Sequence, residues 1–308
     1  MSNIIMTIFS VDFAYTTIRV MTPILFAALA CMVFTKGGID SIGTEGIMLM
    51  CALAGALGSH YTKNAWGGVL AAIIVGALLA CLFGYVTLSL RSEPILAGIA
   101  LNTLASGLTI FLVFYACGEK GSTQSLLSPP VPSMQIPLLR YVPILGPILS
   151  GHNMLTYIGL VVTLLLFFFL YKTPTGLRIR SVGENEHAAR SVGVKVMKYK
   201  YLALILAGSL AGLGGAFMSL GYVSFFSKDM IAGRGFIGMA AEAMGRGTPV
   251  GVLLSSLVFG AADSLSVRLQ MLNFPSQIIQ TIPYVITIVA ISIYSYSRGH
   301  TKRANSKG

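Results

Sequence analysis

The sequence predicts an all-α polytopic membrane protein with about nine transmembrane helices, within a range of eight to ten. Of its 308 residues, 55% are hydrophobic and only 10% are charged, and the mean hydropathy is +0.80. A water-soluble core cannot bury so large an apolar fraction. The apolar runs reach the roughly 20 residues that a helix needs to cross a bilayer, and they are too long for barrel strands. We therefore expect one transmembrane domain over residues 1–308.

Hydrophobic runs place nine predicted spans along the chain. In order they cover residues 17–35, 39–59, 66–90, 95–117, 154–171, 200–220, 231–245, 249–269 and 277–296. The seventh run is short and rich in glycine, so a segment that enters the membrane without crossing it is the alternative at that place.

The cysteines and the start of the chain exclude two further features. Cys31, Cys51, Cys81 and Cys117 lie in apolar stretches without CxxC spacing, which indicates neither a disulfide framework nor a metal site. No Lys or Arg precedes Arg19, so the positive region of a cleavable signal peptide is missing. We expect the first hydrophobic segment to remain in the mature protein.

The basic residues predict the orientation, because Lys and Arg accumulate in short cytoplasmic loops. With nine spans and a cytoplasmic C-terminus, fourteen of the 21 basic residues lie inside and seven lie outside. The inside set is Lys36, Arg91, Lys172, Arg178, Arg180, Arg190, Lys195, Lys198, Lys200, Arg246, Arg298, Lys302, Arg303 and Lys307. The last four form a basic cytoplasmic tail, 297–308. Orientation and anionic lipid then explain the net charge of +11, and no nucleic-acid partner is needed.

The largest predicted outside loop covers residues 118–153 and holds six of the twelve prolines. Prolines at this spacing prevent a long helix and favour an extended or turn-rich path. Two interpretations stay open: a cap over an outer vestibule, and a simple connection with a short interfacial piece.

A charged stretch, "TPTGLRIRSVGENEHAARSVGVKV", interrupts the apolar sequence between two predicted spans. Ser181 and Glu184 have the spacing of a capping box, and Gly193 is suited to end a helix in a left-handed conformation. We therefore expect one helix of roughly ten residues, about 15 Å long, from Val182 to Val192. Its small residues allow close contact with another protein, and an ordinary amphipathic loop is the alternative.

Several segments resemble a known family, the ABC importer permeases for branched-chain amino acids, ribose and other simple sugars, and nucleosides. The cytoplasmic coupling loop of that family is similar to "KTPTGLRIRSVGENEHAARSVGV". Its first, second and fourth spans are similar to "IRVMTPILFAALA", "IDSIGTEGIMLMCALAGALG" and "EPILAGIALNTLASGLTIFL". The signature of its second half is similar to "GRGFIGMAAEAMGRGTPVGVLLSSLVFGAADSL". The last two segments resemble the nucleoside and simple-sugar branch more than the amino-acid branch.

The resemblance implies an ABC importer permease fold in a bacterial cell membrane, with a nucleoside as the favoured substrate and a simple sugar second. It implies that a coupling loop, 172–199, docks on a separate cytoplasmic ATPase subunit that binds ATP and Mg, while this chain holds no cofactor. A second permease subunit, homologous or identical, completes the pore, and an extracytoplasmic substrate-binding lipoprotein delivers the solute. The implied coupling residues are Gly183, Glu184, Asn185, Ala188, Ala189 and Gly193.

The absence of ATP-binding and hydrolase motifs agrees with a separate ATPase subunit. The sequence contains no GxxxxGK[ST] loop for ATP phosphates, and it contains neither HExxH nor GxSxG. We therefore expect no catalytic or metal-binding residue and no enzyme activity. Two other classes stay open: a secondary carrier, in which Glu45 or Glu242 binds a coupling proton or cation, and a signalling or scaffold protein that moves no solute.

Charged residues within predicted spans are candidates for the substrate path. A charge at the bilayer centre costs about 2.5–3.5 kcal/mol, so it normally faces a cavity or a partner. Glu45 lies between Gly43 and Gly46, where a helix break would open the backbone to a ligand. Asp263 lies near the outer end of its span, where we expect it to reach water.

The fourth span carries polar groups along one face. Asn102, Thr103 and, one turn later, Ser106 offer donors and acceptors that suit a neutral polyhydroxylated or heterocyclic solute. Hydrogen bonding between helices is the alternative use. Glu242 is either a residue of the substrate path or a partner of Arg246 at i+4.

Overall fold

A computed structural model describes residues 11–40, 42–119, 121–135 and 145–270. In these ranges the chain forms eleven helices and no β-sheet, with only isolated β-bridges in the connecting loops. The helices are α1 (Val11–Lys36), α2 (Thr44–Thr62), α3 (Ala65–Gly84), α4 (Pro94–Cys117), α5 (Leu145–Leu149), α6 (Met154–Lys172), α7 (Pro174–Glu184), α8 (Glu186–Ser191), α9 (Val196–Ala216), α10 (Arg234–Met244) and α11 (Pro249–Gln270). Short π-helical turns, Tyr85–Ser89 and Phe217–Tyr222, extend α3 and α9.

Six of the described helices are long and apolar enough to cross a membrane: α1, α3, α4, α6, α9 and α11. The expected nine spans are not confirmed. The second predicted span, 39–59, becomes α2, whose apolar sequence is interrupted by glycines and polar residues and begins only at Thr44. The seventh becomes α10, whose 11 residues extend about 16 Å and are too short to cross alone. The ninth, 277–296, lies outside the described residues.

Helix α1 is the centre of the bundle. Every residue from Val20 to Phe34 is buried, and α6, α9, α10 and α11 all pack against it. A helix that is apolar on all sides lies in the interior of a bundle, because no face of it suits water. The long helices α6, α9 and α11 therefore take their positions from α1.

Small residues bring α3 and α9 into direct backbone contact, as their spacing predicts. A Cβ atom on Gly208 would overlap the carbonyl group of Gly76 and would lie 2.6 Å from the Cβ of Ala80. A Cβ atom on Gly212 would lie 2.6 Å from the carbonyl oxygen of Ala72. Packing, rather than ligand binding, is the use of these glycines.

The described part of the proline-rich loop has the expected extended, turn-rich path. Residues 121–135 lie across one end of the bundle, where Ser59 Oγ donates to the Pro129 carbonyl at 2.7 Å and Ser128 Oγ donates to the Ala56 carbonyl at 3.0 Å. The loop also bonds to the segment after α9, through Thr123 and Phe226. It therefore ties α2 to the segment that leads into α10.

Replacement of Gly208 by leucine is expected to force α3 and α9 apart and to destabilise the protein by about 1–3 kcal/mol or more. The measurement is the thermal unfolding midpoint of the purified chain in mild detergent. Gly107→Leu in α4 is the control, since no described atom beyond its own helical turn lies within 4 Å of its Cβ position. Equal losses in the two variants would contradict close packing at Gly208.

Candidate functional site

Helix α2 begins inside the bundle and not at its end. The chain leaves α1 at Lys36, turns through Gly38 with φ +71°, and resumes a helix at Thr44. Asn102 of α4 holds this start, because its Nδ2 donates to the Ile42 carbonyl at 3.0 Å and its Oδ1 accepts from the Gly46 N–H at 2.8 Å. The predicted helix break at Glu45 is absent, because α2 runs without interruption from Thr44 to Thr62. Asn102 makes the interhelical hydrogen bonds that were its alternative use.

Glu45 caps the start of α10. Its Oε1 accepts from the Gly233 N–H at 2.8 Å and its Oε2 accepts from the Gly235 N–H at 2.7 Å. The N-terminus of a helix carries unpaired N–H groups and a partial positive charge, which a carboxylate satisfies. Any side chain at Gly235 would collide with Glu45, since its Cβ would lie 2.6 Å from Oε2.

Asp263 is paired inside the bundle, which corrects the expectation that it reaches water. Arg234 Nη2 lies 3.4 Å from Asp263 Oδ2, and both side chains are at most one-fifth exposed. Arg234 Nη1 also donates to the Ile231 carbonyl at 3.1 Å. The pair forms because α11 passes beside the first residue of α10, which brings the carboxylate of Asp263 to the guanidinium of Arg234.

An open cavity of about 440 Å³ adjoins these two helix starts. Four of the five residues that the sequence predicts for the substrate path line it: Glu45, Asn102, Thr103 and Ser106. The remaining lining residues are Gly46, Leu49, Asp229, Ile231, Ala232, Gly233 and Phe236. The structure thus brings the four predicted residues together, while their role in transport stays a prediction.

Sequence reasoning missed Asp229 and the segment that follows it. The segment enters the cavity because Glu45 fixes the start of α10, a contact between residues 188 positions apart. A contact between residues so far apart in the chain produces no periodic pattern in the sequence from which it could be predicted. The only local signal was the pair Gly233 and Gly235 at the start of a short apolar run.

The charged groups of the cavity wall are both acidic, Glu45 and Asp229. The N–H groups at the start of α10, which favour an anion, are already bonded to Glu45. The Thr103 hydroxyl donates to the Ile99 carbonyl at 3.0 Å and keeps its acceptor capacity, and Ser106 adds a second hydroxyl. This wall suits hydrogen bonding to a neutral solute.

Glu242, the fifth predicted path residue, does not line this cavity. A Cβ atom built on Gly247 would lie 3.2 Å from Glu242 Oε1 and 3.2 Å from Lys36 Nζ. The two charged groups therefore lie close to each other, on either side of the turn that contains Gly247. The helical i+4 register to Arg246 does not exist, because α10 ends at Met244 and Arg246 has φ +57°.

The charged stretch forms two helices, which corrects the expected single helix from Val182 to Val192. Helix α7 ends at Glu184, and Asn185 takes an extended conformation with φ −155° before α8 begins. Its Oδ1 accepts from the Ala188 N–H at 3.0 Å and caps α8.

The capping box predicted from Ser181 and Glu184 does not form, since the Ser181 hydroxyl donates to the Arg178 carbonyl instead. Gly193 has φ +81°, as its predicted position after the helix requires.

Two contacts fasten this stretch to the bundle. A Cβ atom on Gly183 would overlap the Lys36 carbonyl and would lie 2.9 Å from the Gly38 nitrogen, so α7 touches the turn after α1. Glu186 of α8 pairs with Lys200 of α9 at 2.6 Å and with Arg190 at 2.8 Å. The hydrogen bond from Lys200 lowers the pKa of the Glu186 carboxyl, despite its partial burial.

The other predicted coupling residues differ in exposure. Ala189 is only 3% exposed and packs inside this chain, whereas Ala188, Glu184 and Asn185 lie on the surface. The surface of α8 that remains for a partner therefore includes Ala188 and not Ala189.

Proteins of known function resemble this chain along nearly its whole length. The nucleoside ABC transporter permease protein NupC of Lactococcus lactis subsp. cremoris is 35% identical over 286 residues, which cover 89% of either chain. The guanosine ABC transporter permease protein NupQ of Bacillus subtilis is 32% identical over 294 residues, which cover 92% of this chain and 91% of that protein.

A solved structure and a family assignment agree with these relatives. The structure of PsaBC from Streptococcus pneumoniae in complex with Fab has a TM-score of 0.55 and 16% identity, with 92% of each chain covered, which is a likeness of fold. Residues 13–291 match the family described as branched-chain amino acid transport system / permease component. The chain therefore belongs to this permease family, and it is a multi-pass membrane transport subunit of the ABC importer class and not an enzyme.

Proposed function

We propose that the chain is the transmembrane subunit of an ABC importer for nucleosides, and that the cavity between α2, α4 and α10 lies on the path of the solute. One observation carries the proposal: the Glu45 carboxylate accepts hydrogen bonds from the backbone N–H groups at the start of α10, so these groups are not free to bind an anionic solute. Relatives named as nucleoside and guanosine permeases support the same substrate class.

The cavity wall favours a nucleoside over an amino acid. A zwitterionic amino acid carries a carboxylate, which helix starts and basic side chains normally bind. Here Glu45 fills the helix start, Asp229 is the other charged residue among the described lining residues, and none of these described residues is Lys, Arg or His. A nucleoside is uncharged and has several hydroxyl and ring groups that pair with Thr103, Ser106 and the backbone.

The same bonds favour an ATP-driven importer over a proton-coupled carrier. Both oxygens of Glu45 accept backbone N–H bonds, so a coupling proton or cation would compete with the cap of α10. Glu242 faces Lys36, away from the cavity. Neither acid is placed to exchange a coupling ion with a solute in the cavity.

The test of this function is uptake of labelled guanosine by proteoliposomes that contain the chain and every protein that copurifies with it. Uptake should require internal ATP, persist when ionophores remove the membrane potential and the pH gradient, and fall when unlabelled nucleoside is added. Competition by ribose or glucose alone would assign a simple sugar, and competition by leucine an amino acid. Loss of uptake with ionophores at constant ATP would assign a secondary carrier.

The partners follow from the same proposal. The surface of the coupling loop, 172–199, docks on a cytoplasmic ATPase subunit that holds the ATP and Mg, and this chain needs no cofactor. The chain forms half of the pore with a second permease subunit, homologous or identical, and an extracytoplasmic lipoprotein delivers the solute. The C-terminus then lies in the cytoplasm and the proline-rich loop, 118–153, outside.

The path prediction concerns Ser106, because Glu45 and Asn102 also hold helix starts and their loss would disturb the fold. Ser106→Leu removes a hydroxyl from the cavity and fills part of its volume, so nucleoside uptake should fall about tenfold or more. Gly107→Leu is the neighbouring control, since its Cβ position meets no described atom beyond its own helical turn within 4 Å and Gly107 is not among the described lining residues of the cavity. Unchanged uptake in Ser106→Leu, at equal expression, would remove this cavity from the path.

The coupling prediction concerns Ala188. Ala188→Arg places a charge in the proposed contact with the ATPase, and burial of an unpaired charge weakens a contact by several kcal/mol. Substrate-stimulated ATP hydrolysis by the reconstituted complex should fall at least about tenfold. Ala188→Ser keeps the small size and is the matched control. Ala189→Arg is not a clean test, because Ala189 packs inside the chain. Wild-type stimulation in Ala188→Arg would show that α8 is not the coupling element.

A further inference from the structure

A second cavity, of about 410 Å³, lies between α7, the turn after α8 and the first turn of α9. Among the described residues its charged lining consists of the cations Arg178, Lys195 and Lys198, without a carboxylate. Tyr199 forms its buried wall and fixes one cation, because Arg178 Nη1 donates to the Tyr199 hydroxyl oxygen at 2.7 Å. The cavity therefore concentrates positive charge around a preformed space.

The cations of this cavity are not neutralised by the described part of the chain. Within 4.0 Å, the ion pairs of the described residues use only Arg190, Lys200 and Arg234 as cations. Glu186, the acid of the adjoining helix, is already shared between Arg190 and Lys200. Three like charges that converge on a space without a counter-charge suit an anion with several oxygen acceptors.

The surroundings of the cavity belong to the membrane surface. Lys195 and Lys198 flank the first residue of α9, a helix long and apolar enough to cross a membrane. Met197 is 43% exposed between them, and Ile205, about two turns further along α9, is 40% exposed. Apolar side chains thus continue from the basic cavity along the helix toward the hydrocarbon, as an amphipathic ligand requires.

We propose that this cavity binds the phosphate of an anionic phospholipid, whose acyl chains lie along the exposed side of α9. Basic residues beside a spanning helix attract anionic headgroups of the adjacent leaflet, and a cavity between them gives the headgroup a fixed place. The exposed apolar side chains of Met197 and Ile205 favour a lipid over an acidic protein surface or free phosphate. The site is separate from the solute cavity but lies within the coupling loop, 172–199, so the proposal assigns this side of the loop to lipid and leaves the Ala188 side of α8 to the ATPase. Its test counts bound lipid and does not depend on the proposed transport function.

The test uses the full-length chain purified in mild detergent, with phosphatidylglycerol or phosphatidylcholine added and bound lipid counted by native mass spectrometry. Phosphatidylglycerol should bind to the wild type more tightly than phosphatidylcholine. Each basic residue contributes about a fivefold factor near an anionic headgroup, so Lys195→Gln/Lys198→Gln should weaken phosphatidylglycerol binding about 30-fold. Lys63→Gln/Lys172→Gln removes the same charge outside the cavity and should leave that binding within about twofold, and Lys195→Arg/Lys198→Arg should retain it.

Three results would overturn the proposal. Equal loss of lipid in the cavity variant and in the charge-matched control would mean general surface attraction. Displacement of phosphatidylglycerol by millimolar inorganic phosphate would assign a free-phosphate site. Loss of ATPase binding in the cavity variant in phosphatidylcholine alone, with unchanged lipid binding, would assign an acidic protein surface. Gel filtration and the arginine variant separate each of these from misfolding.

Discussion

The bond between the Glu45 carboxylate and the N–H groups of Gly233 and Gly235 is the contact on which the centre of this structure depends. A helix that begins inside a membrane leaves backbone donors unpaired, and a carboxylate inside a membrane lacks water. Each group is unfavourable alone, and each satisfies the other. Helix α10 can therefore begin within the bundle, and the segment from Asp229 to Gly233 can form a cavity wall.

Helix α2 begins inside the bundle by the same principle. There the backbone partner is an amide, Asn102, which accepts from Gly46 and donates to the Ile42 carbonyl. The two starts adjoin, because Glu45 belongs to the first turn of α2 and Asn102 faces the same turn. The cavity lies where α2 and α10 both begin, and helices that continued through this point would have packed the space closed.

The sequence alone predicted the membrane class and the polar side of α4, because each leaves a local pattern, but it placed a helix break at Glu45, where α2 is continuous. Hydropathy assigned a span to the short α10, since it measures apolar length and cannot tell that a helix begins inside the bundle. It also missed the pair between Arg234 and Asp263, which depends on the crossing of two helices. In the charged stretch the expected cap was Ser181, whereas Asn185, four residues later, caps α8 in the structure. The contact of Gly183 with Lys36 and Gly38 joins distant parts of the chain, so it leaves no local pattern from which the end of α7 could be predicted.

That glycine contact also gives a physical route between the coupling loop and the solute cavity. Gly183 meets the backbone of Lys36 and Gly38 with no side chain between them, and the turn at Gly38 leads directly into the start of α2. Backbones packed at this distance do not slide gradually, so a displacement of α7 must move the turn with it. Helix α2 carries Glu45 in its first helical turn, and Glu45 holds the start of α10. A partner that moved the coupling loop would therefore act on two walls of the cavity through one short stretch of chain, residues 36–46.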